Sequence, residues 1–244
     1  MNMIYMTGDT HGDYNDLACR IRSSTAGEGD HVIITGDFGF VWREGAYSDH
    51  AGDLDRLERF SCTILFADGN HEDYDLLEKY PEEDWHGGRV HRIRSNILHL
   101  MRGYVFDIGG SSFFVFGGAY SVDKGWRTPG ESWWSRELPS AEEYRRASEN
   151  LEKCGYKVDY VVTHTIPKLT VYSLGITPDE HDAELTGYFE WLFGHLEFRL
   201  WYAGHFHLNG LFRDRLRILY QLIEPIDSVL EETVNYDDIS ENDE

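Results

Sequence analysis

A chain of 244 residues is long enough to bury a sizeable core and near the upper range for one domain, so a single α/β domain is expected. Hydrophobic residues at 41% and aromatics at 14% exclude a disordered chain, and no apolar run is long enough to span a membrane. Acidic residues number 44 against 22 basic ones, and a formal net charge of −22 argues against duplex nucleic acid as a partner.

The first six residues carry no basic group ahead of their apolar stretch and run at once into Thr7-Gly8-Asp9, unlike a signal peptide, so a cytoplasmic location is expected. Cys19, Cys62 and Cys154 are odd in number and lack CxxC spacing, which reads as free thiols rather than disulfides or a thiolate zinc site. Apolar runs at residues 3–6, 32–34, 63–66, 160–162 and 200–202 are rich in β-branched and aromatic residues, as buried strands are. Between the second and third, Leu54, Leu57 and Phe60 recur at helical spacing over residues 49–60, giving β-α-β units. Residues 104–108, 113–116 and 211–222 read as strands without intervening helices, an antiparallel part of the sheet. Residues 118–139 have no periodicity and carry Trp126, Trp133 and Trp134, the composition of a long functional loop, or of tryptophans capping a core edge. Ser140, with Glu143 three residues on and Gly155 beyond, brackets a capped helix over 140–154. Residues 224–244 hold nine acids and no Lys or Arg, so the chain divides into a domain at 1–223 and a solvated acidic tail at 224–244.

Five polar clusters each follow an apolar run: Gly8-Asp9-Thr10-His11-Gly12, Gly36-Asp37, Gly69-Asn70-His71-Glu72, Thr163-His164 and Gly204-His205-Phe206-His207. Carboxylates and neutral imidazoles are standard ligands of first-row divalent metals, and a pair of ions needs about this many. Adjacent glycines leave room for the turns and for close approach of substrate. Asp13, Asp68 and Glu72 adjoin these residues and are candidates to orient them; Glu72 reads equally as an acid opening the next helix.

In this order the clusters resemble the signature of the calcineurin-like metallophosphoesterase superfamily, over residues 9–207. The resemblance implies a two-sheet β-sandwich flanked by helices, an α/β (α+β) fold with the site on loops at one end. It implies two metal ions, Mn, Fe or Zn with Mn favoured: Asp9, His11 and His207 on the first, Asn70, His164 and His205 on the second, and Asp37 bridging both. It places His71 near the leaving group as proton donor or transition-state stabiliser, and a hydroxide between the ions as nucleophile. The implied activity is hydrolysis of a small phosphomonoester or phosphodiester, including nucleotides.

The first and third blocks look like the serine/threonine phosphatase branch, but the two arginines that grip phosphate there are missing: Phe38-Gly39-Phe40 follows Asp37, and Asp68 precedes Gly69-Asn70. The chain is more similar to small bacterial and phage metallophosphoesterases with a Gly-Asp-Phe-Gly second block. Replacement substrate contacts are expected from Arg127, Lys124 and Trp126, with Arg136 further on. A protein phosphatase and a noncatalytic metal-binding scaffold are the competing readings.

Overall fold

A computed structural model of the chain describes residues 2–43 and 50–228. In β1 (Ile4–Thr7) successive side chains face opposite ways, and both sides are covered: Ile4 and Met6 enter one apolar cluster and Tyr5 another. The same alternation recurs in β2 (His31–Ile34) and β3 (Thr63–Phe66), where Ile33 and Leu65 face one way and Val32, Ile34 and Phe66 the other. Strands covered on both faces must be apolar throughout, which is why they appear in the sequence as unbroken runs.

These strands pair in parallel and are followed by α1 (Tyr14–Ser24), α2 (His50–Leu57) and α3 (Tyr74–Leu77). Three further strands complete their edge: β4 (Glu82–Trp85), β5 (Gly88–Arg94) and β6 (Ile97–Leu100). A second sheet holds β7 (Tyr104–Ile108), β8 (Ser111–Phe116), β9 (Tyr160–Thr163), β10 (Leu200–Ala203), β11 (Gly210–Phe212) and β12 (Leu216–Ile218), in the order β11-β12-β10-β9-β8-β7. Outside it lie α4 (Ala141–Lys153), α5 (Lys168–Ser173) and α6 (Ala183–His195). Phe113, Val115, Tyr160, Val162 and Tyr202 meet the first sheet, while Phe114, Val161 and Trp201 pack with Leu151, Leu185 and Phe189 of the helices. The result is a helix–sheet–sheet–helix stack in which each large buried side chain contributes about 1.5–3 kcal/mol.

Each expected strand forms, most extended by a residue or two. The exception is 211–222, which is not one strand but a β11–β12 hairpin, turned by Arg213 and Asp214 at φ 51° and 62°, followed by a separate strand. That strand, β13 (Ile223–Pro225), pairs antiparallel with β1, so the fold continues past residue 223 to the end of the described chain at 228. The rest of the expected tail, and the start of the helix expected at 49, lie outside the described residues. Ser140 caps α4, and Ser140 and Glu143 form the reciprocal capping box expected of them. All three cysteines are free, and no helix among the described residues is long and apolar enough to cross a membrane.

On β5 and β6, His91 and His99 are both buried with their Nδ1 atoms 2.9 Å apart, and His99 Nε2 lies 3.2 Å from Asp68 Oδ1. Burial, and then the neighbouring His99, pushes His91 down to about 3 from 6.5. Between those values the unfolded chain binds more protons than the folded one, so stability is present above pH 6.5 and declines as pH falls through the window. The unfolding midpoint of wild type should therefore drop on acidification, and that of His91→Gln should drop less steeply. Parallel slopes in a thermal melt series would remove His91 as the cause.

Candidate metal centre

The loops after β1, β2 and β3 leave parallel neighbours in one sheet, and those after β8, β9 and β10 leave parallel neighbours in the other. All six therefore emerge at carboxyl ends along one rim. Backbone hydrogen bonds lock them together: Thr10 N and His11 N donate to the Asp37 carbonyl (3.1 and 2.9 Å), Gly118 N to that of Asp68 (2.9 Å) and Gly204 N to that of His164 (3.0 Å). His11, Asp37, His205 and His207 sit in the left-handed region at φ 46°, 50°, 66° and 50°. Each such residue costs of order 1 kcal/mol, tolerated because the interlocked turns over-determine it.

Two of the adjoining glycines make room for the site's own carboxylates. A Cβ on Gly69 would lie 2.0 Å from Asp37 Oδ1, and one on Gly204 would lie 2.2 Å from Asp9 Oδ1. Glu72 is buried and accepts from Phe38 N (2.8 Å) and Gly39 N (3.4 Å), bracing the turn after Asp37. Of its two expected roles it takes this one, and Asp73 caps α3 instead. Asp13 caps α1, while Asp68 takes hydrogen bonds from Tyr74 and Arg102.

Acceptor atoms converge in the middle. His164 Nδ1 stands 3.0 Å from the Thr35 carbonyl, which only accepts, so Nδ1 carries the hydrogen and Nε2 turns its lone pair inward. That Nε2 lies 3.0 Å from Asn70 Oδ1 and 3.4 Å from Asp37 Oδ1, both acceptors. Beside them His11 Nε2 and His207 Nε2 are 3.0 Å apart, and Asp9 Oδ2, 3.1 Å from His207, is buried without a well-aligned donor. Acceptors sharing one space need a cation between them. Ligand atoms of Asp9, His11 and His207 all lie within 4.8 Å of one another, as do those of Asp9, Asp37 and His164, a donor set that fits first-row divalent metals.

A proton on His164 meets the same need in part. Burial opposes it, but Asp37 and Asp9 outweigh burial and push His164 up to about 10. Burial likewise works to raise Asp37, yet His164, His71 and His11 hold its carboxyl well below the usual range. His205 is pushed down to about 4 by burial and by His164, whose ring centroid is 4.9 Å away. Contact with Asp9 raises His207.

His71 is tied to the centre through its backbone N–H, which donates to Asp37 Oδ1 (2.8 Å), and its ring meets that of His11 edge-on at 5.3 Å. Burial lowers its imidazole; Asp37 opposes this and Arg127 adds to it. Arg127 Nη2 stands 2.5 and 2.9 Å from the two ring nitrogens. Both residues line a cavity of about 430 Å³ with His11, Trp42, Trp126 and Ser132, and Trp126 stands at it 94% exposed. Lys124, expected to contact substrate, instead places its ammonium 3.1 Å from the buried Glu137 carboxylate and against the Tyr120 and Trp133 rings. Arg136 pairs with Asp75 and Glu78.

Two supporting residues escaped the sequence reading. Arg20 is buried and donates to the carbonyls of Gly8, Asp9 and Tyr220 (3.1, 3.1 and 2.8 Å), fixing the first loop; a charge beside Leu17 and Ile21 on the apolar stripe of α1 was its signal. Ser121, on which Asn70 Nδ2 donates at 3.0 Å, gave none.

The profile of the family described as calcineurin-like phosphoesterase matches residues 3–209. None of the curated proteins matches the chain. Among solved structures it is similar to phosphopantetheinyl hydrolase (PptH) from Mycobacterium tuberculosis, at 11% identity over 93% of this chain and 96% of that one, with a TM-score of 0.43. It is also similar to the sulfate thiohydrolase SoxB of Termus thermophilus, at 13% identity and a TM-score of 0.40, over 87% of this chain and 37% of that one.

The crowding at Gly69 gives a direct test. Gly69→Ala should displace Asp37 and weaken divalent-metal binding at least about 10-fold in calorimetry. Gly187→Ala, in α6 with nothing near its Cβ, should leave binding unchanged and stabilise the fold by about 0.5–1 kcal/mol. Unaltered metal affinity in Gly69→Ala would show that Asp37 does not depend on this packing.

Proposed function

Because this chain belongs to the calcineurin-like phosphoesterases, a family of phosphoric ester hydrolases that typically uses a binuclear metal site, we propose that it hydrolyses small phosphate esters at the rim cluster. The observation that carries the reading is the facing of His164 Nε2, Asn70 Oδ1 and Asp37 Oδ1, which on a neutral His164 turns three lone pairs toward one point. Asp9, His11 and His207 would hold one ion, Asn70, His164 and His205 the second, and Asp37 would serve both. When bound, two such ions, manganese first among the candidates, supply positive charge for the phosphate oxygens and acidify a water for attack on phosphorus.

The chain's own groups do the rest. His71 stands between the centre and the cavity, where its ring N–H can donate to the departing ester oxygen. Arg127 brings a permanent charge to the same wall and stands in for the arginines missing from the second and third blocks. Its Nε is paired with Asp123 (2.9 Å), which fixes the guanidinium's direction. Trp42 and Trp126 flank the opening, so a substrate carrying a planar group, such as a nucleotide or an aryl ester, gains a stacking surface. Lys124 supports the loop through its pairing with Glu137.

The first test compares the manganese-loaded chain on bis-p-nitrophenyl phosphate and p-nitrophenyl phosphate, with Asp37→Asn and His71→Ala alongside. Turnover by wild type and loss of at least about 100-fold in each variant is the expected result. Two bound ions per chain with no turnover above the variants would favour the scaffold reading. If the rim stacks a planar group, Trp126→Ala should raise KM for a nucleotide ester about 10-fold while leaving kcat and the hydrolysis of a methyl phosphate ester unchanged. Equal losses on both esters would assign Trp126 to loop structure instead.

A further inference from the structure

The orientation of Asn70 decides what the centre can bind. With Oδ1 inward, it adds a third acceptor beside His164 Nε2 (3.0 Å) and Asp37 Oδ1. With the amide reversed, its NH2 would face those two acceptors and satisfy them as a donor, and no cation would be required. With His164 neutral, as a metal ligand must be, the reversed form is the better hydrogen-bonded one within the cluster, so something outside it must hold the amide.

Ser121 is placed to do this. It lies on the 118–139 loop, 51 residues from Asn70 in sequence, and is 1% exposed. Its Oγ accepts from Asn70 Nδ2 (3.0 Å) and from Arg127 Nη1 (3.3 Å), and its hydroxyl hydrogen is directed at the Asn70 carbonyl (3.5 Å). Both lone pairs and the single hydrogen are thereby engaged. A reversed amide would bring Oδ1 against that oxygen, which could meet it only by turning its one hydrogen away from the Asn70 carbonyl. Ser121 is itself fixed from behind: its backbone N–H donates to Glu137 Oε2 (3.2 Å), a fully buried carboxylate that also holds Lys124 (3.1 Å).

We propose that Ser121 is a positioning residue for the second metal ion, holding the Asn70 amide with its oxygen toward the centre. The proposal rests on the binuclear reading above and concerns this one contact within it. Second-sphere partners of this kind typically contribute 10–100-fold in metal affinity, and a loss of that size is expected for one ion only, the one Asn70 would share with His164. The ion of Asp9, His11 and His207 should be unaffected.

The experiment is a mutant cycle read by manganese calorimetry on the full chain, with thermal melts to confirm folding. Ser121→Ala should retain the wild-type melt and one wild-type affinity while weakening the other about 10–100-fold. In the Asn70→Asp background, where either carboxylate oxygen can face the ion, Ser121→Ala should change that affinity little. Equal losses in both backgrounds, or equal weakening of both ions, would mark Ser121 as a general structural residue and overturn the proposal. So would two unchanged affinities in Ser121→Ala alone, a result that needs no second background. A wild-type chain that binds no ion would instead overturn the binuclear reading, and the orienting role with it.

Discussion

Buried acceptors cannot face one another at hydrogen-bond distance unless positive charge lies between them. His164 Nε2, Asn70 Oδ1 and Asp37 Oδ1 do so when His164 is neutral, and the buried Asp9 Oδ2 lies beside His207 and His11 at the exposed edge of the cluster. Leaving such groups unpaired costs several kcal/mol, and a proton on His164 and the His71 N–H on Asp37 relieve it only in part. The Thr35 carbonyl takes the only hydrogen on neutral His164, and Ser121 accepts from the Asn70 amide nitrogen, which could otherwise have served. The arrangement suits a cation, and much of the surrounding structure serves to keep these groups facing one point.

That requirement explains the stiffness of the rim. Six loops leave strands buried on both faces, so their first residues can hardly move with respect to the core. The side chains are then delivered by turns with positive φ at His11, Asp37, His205 and His207, conformations that a free loop would abandon. Cross-loop backbone hydrogen bonds, Arg20 on the first loop and Glu72 on the second supply the compensating energy. At Gly69 and Gly204 a Cβ would enter a carboxylate and at Gly36 the His164 ring, so these three glycines record the packing of the rim's own side chains.

The sequence disclosed most where a single strand and the loop after it carried the information. Buried parallel strands are apolar at every position, and the polar clusters at their ends stand out against them, so β1, β2, β3, β9, β10 and the residues that follow were legible. The hairpin at β11 and β12 was not, because Arg213 and Asp214 adopt the left-handed backbone without the glycine that would announce a turn. The strands β4, three acids and a tryptophan, and β5, with Val90 and Ile93 among arginines, lie toward a sheet edge and lack the continuous apolar signal of the centre. Side-chain partnerships between distant segments were least visible. Lys124 carries the same charge whatever anion it meets, and only the fold reveals that Glu137 stands beside it.

The 118–139 loop shows why such partnerships matter to chemistry. Within seven residues it places Ser121, buried against Asn70, and Arg127, whose guanidinium touches both Ser121 and the His71 ring. One residue before Arg127, Trp126 stands almost wholly in solvent at the cavity. The same short stretch thus holds a ligand of the proposed centre, a charged wall of the cavity and its aromatic rim. A substrate that stacks on Trp126 and draws on Arg127 pulls on a side chain bonded to the hydroxyl that orients Asn70. Glu137 opposes that pull, since it is buried, paired with Lys124 and bound to the backbone of Ser121. Anchoring the loop by an interior ion pair, rather than by surface contacts that salt and solvent would weaken, lets its outer face engage substrate while its inner face keeps Asn70 still.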